Sequence, residues 1–373
     1  MVKLRKYNTA AIIATFVFMP KKKTILVAPL HWGLGHATRC IPIIKALLDH
    51  DFEVLLASDG SALLLLQKEF PQLESIELPS YNIEYPKKGS HFKWKILMKL
   101  PQIKKTMDAE KSIIKQLVKA GKIQGIISDN RFGVRNKAIP SVFITHQLNV
   151  LTGSTTIATS KIHQNIIKKF DACWVPDVQD SILNLSGKLG HLKREEFPII
   201  YIDVLSRMKK KVVPKTTDIL VLLSGPEPQR TILEEILKDS LKNIEKSILI
   251  VRGKVEKEQI WEDYETIKMV NFMASEELEN AINASEIVIS RSGYTTIMDL
   301  TVLEKKAFFI PTPGQYEQEY LAKRLKDLGI VPSCKQKKFK PEKLNKISLY
   351  KGLKSLSHPA TNFSELFTLF ERK

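Results

Sequence analysis

Residues 286–300 read Glu286-Ile287-Val288-Ile289-Ser290-Arg291-Ser292-Gly293-Tyr294-Thr295-Thr296-Ile297-Met298-Asp299-Leu300. A short β-branched run closes on a Gly-containing loop that opens an amphipathic stretch, the junction expected where a buried parallel strand feeds a crossover helix. Arg291, Ser292, Gly293, Thr295 and Thr296 stand where an anionic group could dock on the amides of that helix's first turn. Asp299 follows about two turns further in, where a carboxylate could accept hydrogen bonds from sugar hydroxyls; a solvent-facing helix acid is the alternative. The next junction repeats the pattern, with Ala307 to Pro311 as strand and then Thr312-Pro313-Gly314-Gln315-Tyr316-Glu317-Gln318-Glu319-Tyr320. Gln315, Gln318 and Glu319 supply the amides and carboxylates that read neutral polyhydroxyl ligands through paired hydrogen bonds. By itself the stretch would pass for a polar loop.

Working outward, the same rhythm occupies the rest of the chain. Strands are expected at Thr24–Ala28, Glu53–Ser58, Gly125–Asp129, Ser141–Thr145 and Ala172–Val175, and again at Ile219–Ser224, Ser247–Arg252 and Ile267–Val270, with helices between. This is an α/β chain of two doubly wound, Rossmann-like halves. The join is expected near Leu205 to Thr217, where a charge run meets Pro214. That divides the chain into 19–205, 206–355 and a C-terminal helix at 356–373 returning toward the N-terminal half. Ligands of such sheets sit beyond the carboxyl ends of the strands, so a cleft between the halves should collect the functional residues.

The loop after the first strand, Pro29-Leu30-His31-Trp32-Gly33-Leu34-Gly35-His36-Ala37-Thr38-Arg39, uses Gly33 and Gly35 to turn tightly before a helix. It is not a dinucleotide fingerprint, because Thr38 stands where the third glycine belongs. Asp59 after the second strand keeps a dehydrogenase-like reading as a weak competitor. A histidine at a helix start facing a cleft can act as general base, which nominates His36 first and His31 second; capping the helix is an equally open role for His36. Asp129 and His146 close further strands and could orient a base or bind a hydroxyl, although polar strand ends are often simple turn formers. Ser224 and Gly225 join a strand to a helix in the second half, offering a hydroxyl and a small residue to a phosphate.

The 373 residues carry 58 Lys+Arg against 40 Asp+Glu, a formal charge of +18, which implies an anionic partner without choosing among nucleic acid, phosphorylated small molecules and membrane. The three cysteines Cys40, Cys173 and Cys334 are too few and too scattered for a disulfide framework or a CxxC site, as suits a reducing cytosol. Asp49-His50-Asp51 ends a helix and reads as a solvated turn, so no metal site is expected. The apolar run Ala10 to Met19 is too short to span a bilayer and has no A-x-A-like cleavage site, so residues 1–18 are expected to be an upstream extension, with Met19 the natural start.

With those residues in view, RSGYTTIMDL followed by FFIPTPGQYEQEY resembles the donor-binding half of GT-B glycosyltransferases, in the group that includes the peptidoglycan N-acetylglucosaminyltransferase. GLGHATR, SDNRFG and FITHQL resemble a bacterial branch of glycosyltransferases in the same superfamily, and the likeness runs from about Thr24 to Lys326. It implies that Ser224, Gly225, Arg291, Ser292 and Gly293 surround a donor pyrophosphate and that Asp299 binds the nucleotide ribose. It implies further that Gln318 contacts the donor sugar, and that Phe272 and Met273 lie near the loop reading the base. Glu319 stands where relatives often carry glutamine, which leaves the sugar open. Before the hinge, where relatives often have Gly-Pro, this chain reads Tyr201-Ile202-Asp203-Val204-Leu205. His36 falls on the acceptor side, with His31, Gly33, Gly35, Asp129 and His146 around it.

The expected activity is transfer of a hexosyl group from a nucleotide-diphosphate sugar of the UDP class to an acceptor hydroxyl, inverting, with neither cofactor nor metal. The alternatives are a sugar-nucleotide epimerase of the same architecture and a non-catalytic nucleotide-sugar or nucleic-acid binder. Nucleic acid is the least expected partner, because the basic residues are spread and no standard binding signature occurs. The stretch from 86 to 105 mixes lysines with Phe92, Trp94, Leu97 and Met98 and could rest on an anionic membrane surface, or simply pack on the sheet. A lipid-linked acceptor and a cytoplasmic enzyme peripheral to the inner face of the membrane would fit the first option.

Overall fold

A computed structural model describes residues 22–81, 92–179, 184–356 and 359–371. The first half runs β1 (Thr24–Pro29), α1 (Gly35–Asp49), β2 (Glu53–Ser58), α2 (Gly60–Glu69), β3 (Ser75–Glu77), α3 (Phe92–Lys119), β4 (Gly125–Asp129), β5 (Ser141–Ile144), α4 (Thr156–Ile167), β6 (Ala172–Val175) and β7 (Ile199–Tyr201). The second runs β8 (Thr217–Leu222), α5 (Gln229–Leu241), β9 (Ile248–Val251), β10 (Trp261–Tyr264), β11 (Ile267–Val270), α6 (Ser275–Asn283), β12 (Ser285–Ser290), α7 (Tyr294–Val302), β13 (Lys306–Phe309) and α8 (Tyr316–Asp327), and the chain closes with α9 (Phe363–Glu371).

Two sheets result, ordered β3-β2-β1-β4-β5-β6-β7 and β10-β11-β9-β8-β12-β13. Every pairing is parallel except β10 with β11. The central strands are buried along their whole length, as in Gly125–Asp129, Ser141–Ile144 and Ala172–Val175, because helices cover both faces. Their β-branched and aliphatic side chains form that double-sided core. Strands β3, β7 and β10 escape the sequence reading for a shared reason. They are three or four residues long and partly exposed, and β10 presents Glu262 and Asp263 at a sheet edge, where charge discourages further pairing.

Strand order reverses between β1 and β4 in the first sheet and between β8 and β12 in the second, so each half has a switch point where two diverging loops leave a crevice. The halves meet with these switch points opposed. Thr295 Oγ1–H, in the first turn of α7, donates to the Gly35 carbonyl of α1 at 3.1 Å. Any Cβ on Gly35 would stand 3.1 Å from that hydroxyl, so a glycine here allows the two helix starts to approach.

The chain crosses between halves at 202–216 and returns to place α9 on the first sheet. Phe367 packs edge-on against Phe52 at 5.8 Å and Phe370 against Trp174 at 6.2 Å, and both phenylalanines are 1% exposed. Gly125 is kept side-chain-free by the same contact, since a Cβ would fall 2.6 Å from the Phe370 ring. Thr361 Oγ1–H donates to the Ile202 carbonyl at 2.6 Å, joining the return path to the outward crossing. The expected upstream extension at 1–18 lies outside the described residues, as do residues 86–91 of the basic stretch; from Phe92 that stretch forms the beginning of α3.

Candidate functional site

The first-half switch point gathers a fully connected charged network. His36 lies in the first turn of α1, Arg39 one turn later on the same face, and Asp129 at the end of β4. The Asp129 carboxylate is 0% exposed and receives Arg39 through both Nε, at 2.5 Å, and Nη2. His36 Nδ1 stands 2.8 Å from Asp129 Oδ1. Burial alone would raise the Asp129 pKa, but the Arg39 guanidinium and His36 more than offset it and hold the group well below the usual carboxylate range. His36 Nδ1 has two neighbours at 2.8 Å, the Asp129 carboxylate, which can only accept, and Arg39 Nη2, which can only donate. The Nδ1–H tautomer therefore pairs with Asp129 and leaves Nε2 with its lone pair, whereas the Nε2–H tautomer pairs with Arg39. Nε2 makes no hydrogen bond among the described residues, and the side chain is 14% exposed.

His146, just past β5, extends this network. Its Nδ1 accepts from Arg39 Nη1 at 2.9 Å, and its Nε2–H donates to Glu317 Oε1 at 3.0 Å. Gln147 donates its side-chain amide to the other oxygen of Glu317. The His146 ring lies flat on Tyr294 of α7, centroids 4.2 Å apart and planes 3° from parallel. Burial pushes its pKa down, against the opposing pull of Glu317, and keeps the ring neutral.

His31 is placed differently. Its Nδ1 lies 3.3 Å from Asp59 and its Nε2 2.9 Å from Ser61 Oγ, so both nitrogens are engaged. Asp59 is itself paired with buried Arg131, which also donates to Glu110 at 2.9 Å. That arrangement removes Asp59 as a nucleotide-ribose ligand and with it the dehydrogenase-like reading. Gly33 takes φ +81°, which its position before the helix start requires.

On the donor side the residue types match expectation while several orientations do not. Arg291 is 0% exposed, and its guanidinium donates to the carbonyls of Ile310 (3.1 Å), Pro311 (3.2 Å) and Gln229 (2.7 Å). No carboxylate of the described residues lies within ion-pair distance, and burial without an acid lowers its pKa to about 9. It therefore acts as a buried positive charge behind the loop and not as a side chain reaching a phosphate. Ser292 is likewise buried and donates to the Gln318 carbonyl at 2.8 Å. Gln318 accepts from the Thr312 amide at 2.8 Å, and Glu319 from the Gly314 amide at 3.0 Å, so both brace the loop after β13.

Gly293 stands immediately before α7 and Thr295 in its first turn reaches Gly35 of the other half, while Ser224 and Gly225 are exposed on the loop after β8. Gly225, at φ +97°, would place a Cβ 3.7 Å from Thr312 Oγ1, so the loops after β8 and β13 are neighbours. Thr312 Oγ1 and Gln315 Oε1 are buried yet make no hydrogen bond among the described residues. Two such atoms beside one loop invite a polar ligand. Asp299 accepts Ser206 Oγ–H from the interdomain linker at 2.6 Å, and burial, opposed by Arg207 and Ser206, raises its pKa to about 6. Phe272 and Met273 are buried after β11, and the Phe272 carbonyl already accepts Gln259 Nε2 at 3.0 Å.

Arg39 and Glu317 carry no role in the sequence reading. Arg39 was accessible as the i+3 neighbour of His36; Glu317 was not, because its partner lies 171 residues away in the other half.

Known proteins resemble the chain in sequence and in fold. Residues 220–371 match the glycosyltransferase family 28 C-terminal domain. Over 161 residues the chain is 26% identical to the UDP-N-acetylglucosamine--N-acetylmuramyl-(pentapeptide) pyrophosphoryl-undecaprenol N-acetylglucosamine transferase of Sulfurihydrogenibium sp., covering 42% of this chain and 45% of that protein. To the enzyme of the same name from Histophilus somni it is 24% identical over 340 residues, 87% of this chain and 88% of that one. The glycosyltransferase SnogD from Streptomyces nogalater superposes with a TM-score of 0.59 at 12% identity, over 94% of this chain and all of that chain, and shows the shared fold. Two opposed Rossmann-like domains, a donor half of family 28 type and this set of relatives identify the chain as a glycosyltransferase of the GT-B superfamily.

Proposed function

We propose that the chain transfers a sugar from a nucleotide-diphosphate donor of the UDP class to an acceptor hydroxyl, by inversion and without a metal ion. The observation that carries the reading is the His36–Asp129 pair opposite the start of α7. The acceptor oxygen attacks the anomeric carbon from the face opposite the diphosphate. As the new C–O bond forms, the acceptor's proton passes to His36 Nε2 and the bond to the diphosphate oxygen breaks. Asp129 holds the ring in the Nδ1–H tautomer and steadies the imidazolium that results.

The departing diphosphate gains one negative charge on the two it already carries, and this requires a preorganised positive field. The amides at the start of α7, the loop at Ser224 and Gly225, and the uncompensated Arg291 charge behind them supply one without a bound cation. The relatives' names specify a pyrophosphoryl-undecaprenol acceptor, and with the basic amphipathic stretch at 86–105 this favours a lipid-linked acceptor met at an anionic membrane surface. No helix among the described residues is long and apolar enough to cross a membrane, so attachment would be peripheral.

Calorimetry against a panel of UDP- and dTDP-sugars tests the donor half. We expect a UDP-sugar to bind equally in buffer and in EDTA, and Asp299→Ala to weaken it at least tenfold; equal affinity in the variant removes Asp299 from the site. The pH dependence has a definite sign. A ribose hydroxyl donates more strongly to the ionised carboxylate than to the neutral acid, so donor affinity should climb as pH rises through about 6. Because the folded-state pKa lies above the unfolded one, the same group makes the fold less stable as pH rises from about 4 to about 6. Urea titrations of wild type and Asp299→Asn across that window measure the second effect.

A further inference from the structure

We infer that Glu317, carried by the donor half, is a positioning residue for the His36 base, so that the base is correctly aimed only while the two halves are docked. The inference rests on the reading of His36 as base. Glu317 lies in the first turn of α8 and Tyr294 in the first turn of α7, both in the second half, whereas His146, Arg39, Asp129 and His36 all belong to the first. His146 is thus held on two sides by the opposite half, through its Nε2–H on Glu317 and its ring face on Tyr294.

Proton assignment carries the effect onward. A carboxylate has no hydrogen to give, so Glu317 forces the single proton of neutral His146 onto Nε2 and leaves Nδ1 bare. Bare Nδ1 is what Arg39 Nη1–H needs, and that contact orients the guanidinium whose other edge grips both oxygens of Asp129. His36 Nδ1 has both Asp129 Oδ1 and Arg39 Nη2 at 2.8 Å, so its proton stays on Nδ1, as the base requires, only while Arg39 is held to Asp129. Without Glu317, the His146 proton can move to Nδ1, where it opposes an Arg39 N–H donor against donor. Arg39 must then tilt, and Asp129 with it. The geometry links docking of the donor half to the tautomer of the base across a continuous series of hydrogen bonds in an interior that is almost wholly buried.

The test uses full-length protein labelled with 15N-histidine and long-range 1H–15N correlation spectra, with His36→Ala and His146→Ala identifying their signals among the eight histidines. In wild type, His36 should appear as the Nδ1–H tautomer and His146 as the Nε2–H tautomer. Glu317→Ala should convert both to tautomer mixtures, while Glu317→Gln, whose amide oxygen can still accept, should hold an intermediate state. With UDP-N-acetylglucosamine as probe and UDP release as readout, Glu317→Ala should lower kcat at least tenfold and leave KM within twofold.

Unchanged tautomers in Glu317→Ala overturn the inference, and so does a rise in KM at constant kcat, which would make Glu317 a donor contact. Should Glu317→Ala fail to fold, Glu317→Gln carries the same comparison. Failure of the base reading looks different: His36→Ala would then keep wild-type turnover. Should the probe not be turned over, the tautomer spectra decide.

Discussion

Replacing His36 by alanine should lower turnover by about 10²–10⁴-fold and leave donor affinity within twofold of wild type, the range removed with a positioned general base. The size follows from where the side chain stands. His36 belongs to the first half, next to the Gly35 whose carbonyl accepts from Thr295 of α7, whereas the loops at Ser224 and Thr312 that would hold the nucleotide belong to the second, so deleting the ring should subtract proton transfer and little binding. A variant that loses donor affinity in calorimetry and keeps kcat would move His36 from chemistry to substrate binding. His31→Ala gives the internal comparison: its nitrogens are held by Asp59 and Ser61, and its removal should affect turnover far less.

Asp129→Asn should produce the second large effect, on stability as well as on rate. Arg39 is 2% exposed and both oxygens of Asp129 accept from it, so neutralising the acid strands a buried guanidinium. Breaking a buried pair from one side costs about 3–5 kcal/mol, which should appear as a lower urea midpoint at neutral pH. The pH sign provides a check. The Asp129 pKa is depressed in the folded state, so its contribution is present above the unfolded carboxylate pKa and is lost as pH falls. Wild type and Asp129→Asn should therefore converge in stability toward acid. A constant gap down to pH 3 would mean that Asp129 stabilises by packing alone.

The strand-end residues of the candidate site were legible in the sequence, whereas their partnerships were not. Short β-branched runs announce buried parallel strands, and the rule that ligands gather beyond strand ends selects His36, Asp129 and His146. Which strand ends are neighbours depends on strand order, which local pattern does not encode. The His36–Asp129 bond spans 93 positions and His146–Glu317 spans 171. The donor loop misleads in the opposite way. Arg291 and Ser292 have the composition of an anion site, but the packing of β12 against β8 and β13 leaves their side chains inside the sheet's end, satisfying carbonyls. Composition identifies the loop; burial decides which of its atoms can meet a ligand.

The returning helix α9 has a mechanical consequence. With Phe367 and Phe370 anchored beneath the first sheet, and Thr361 stitched to Ile202, the halves hang together by twin cords bound side by side. Two adjacent connections restrain swivelling of one half on the other more than a single one would, which keeps the α7 threonine in register with the glycine of α1.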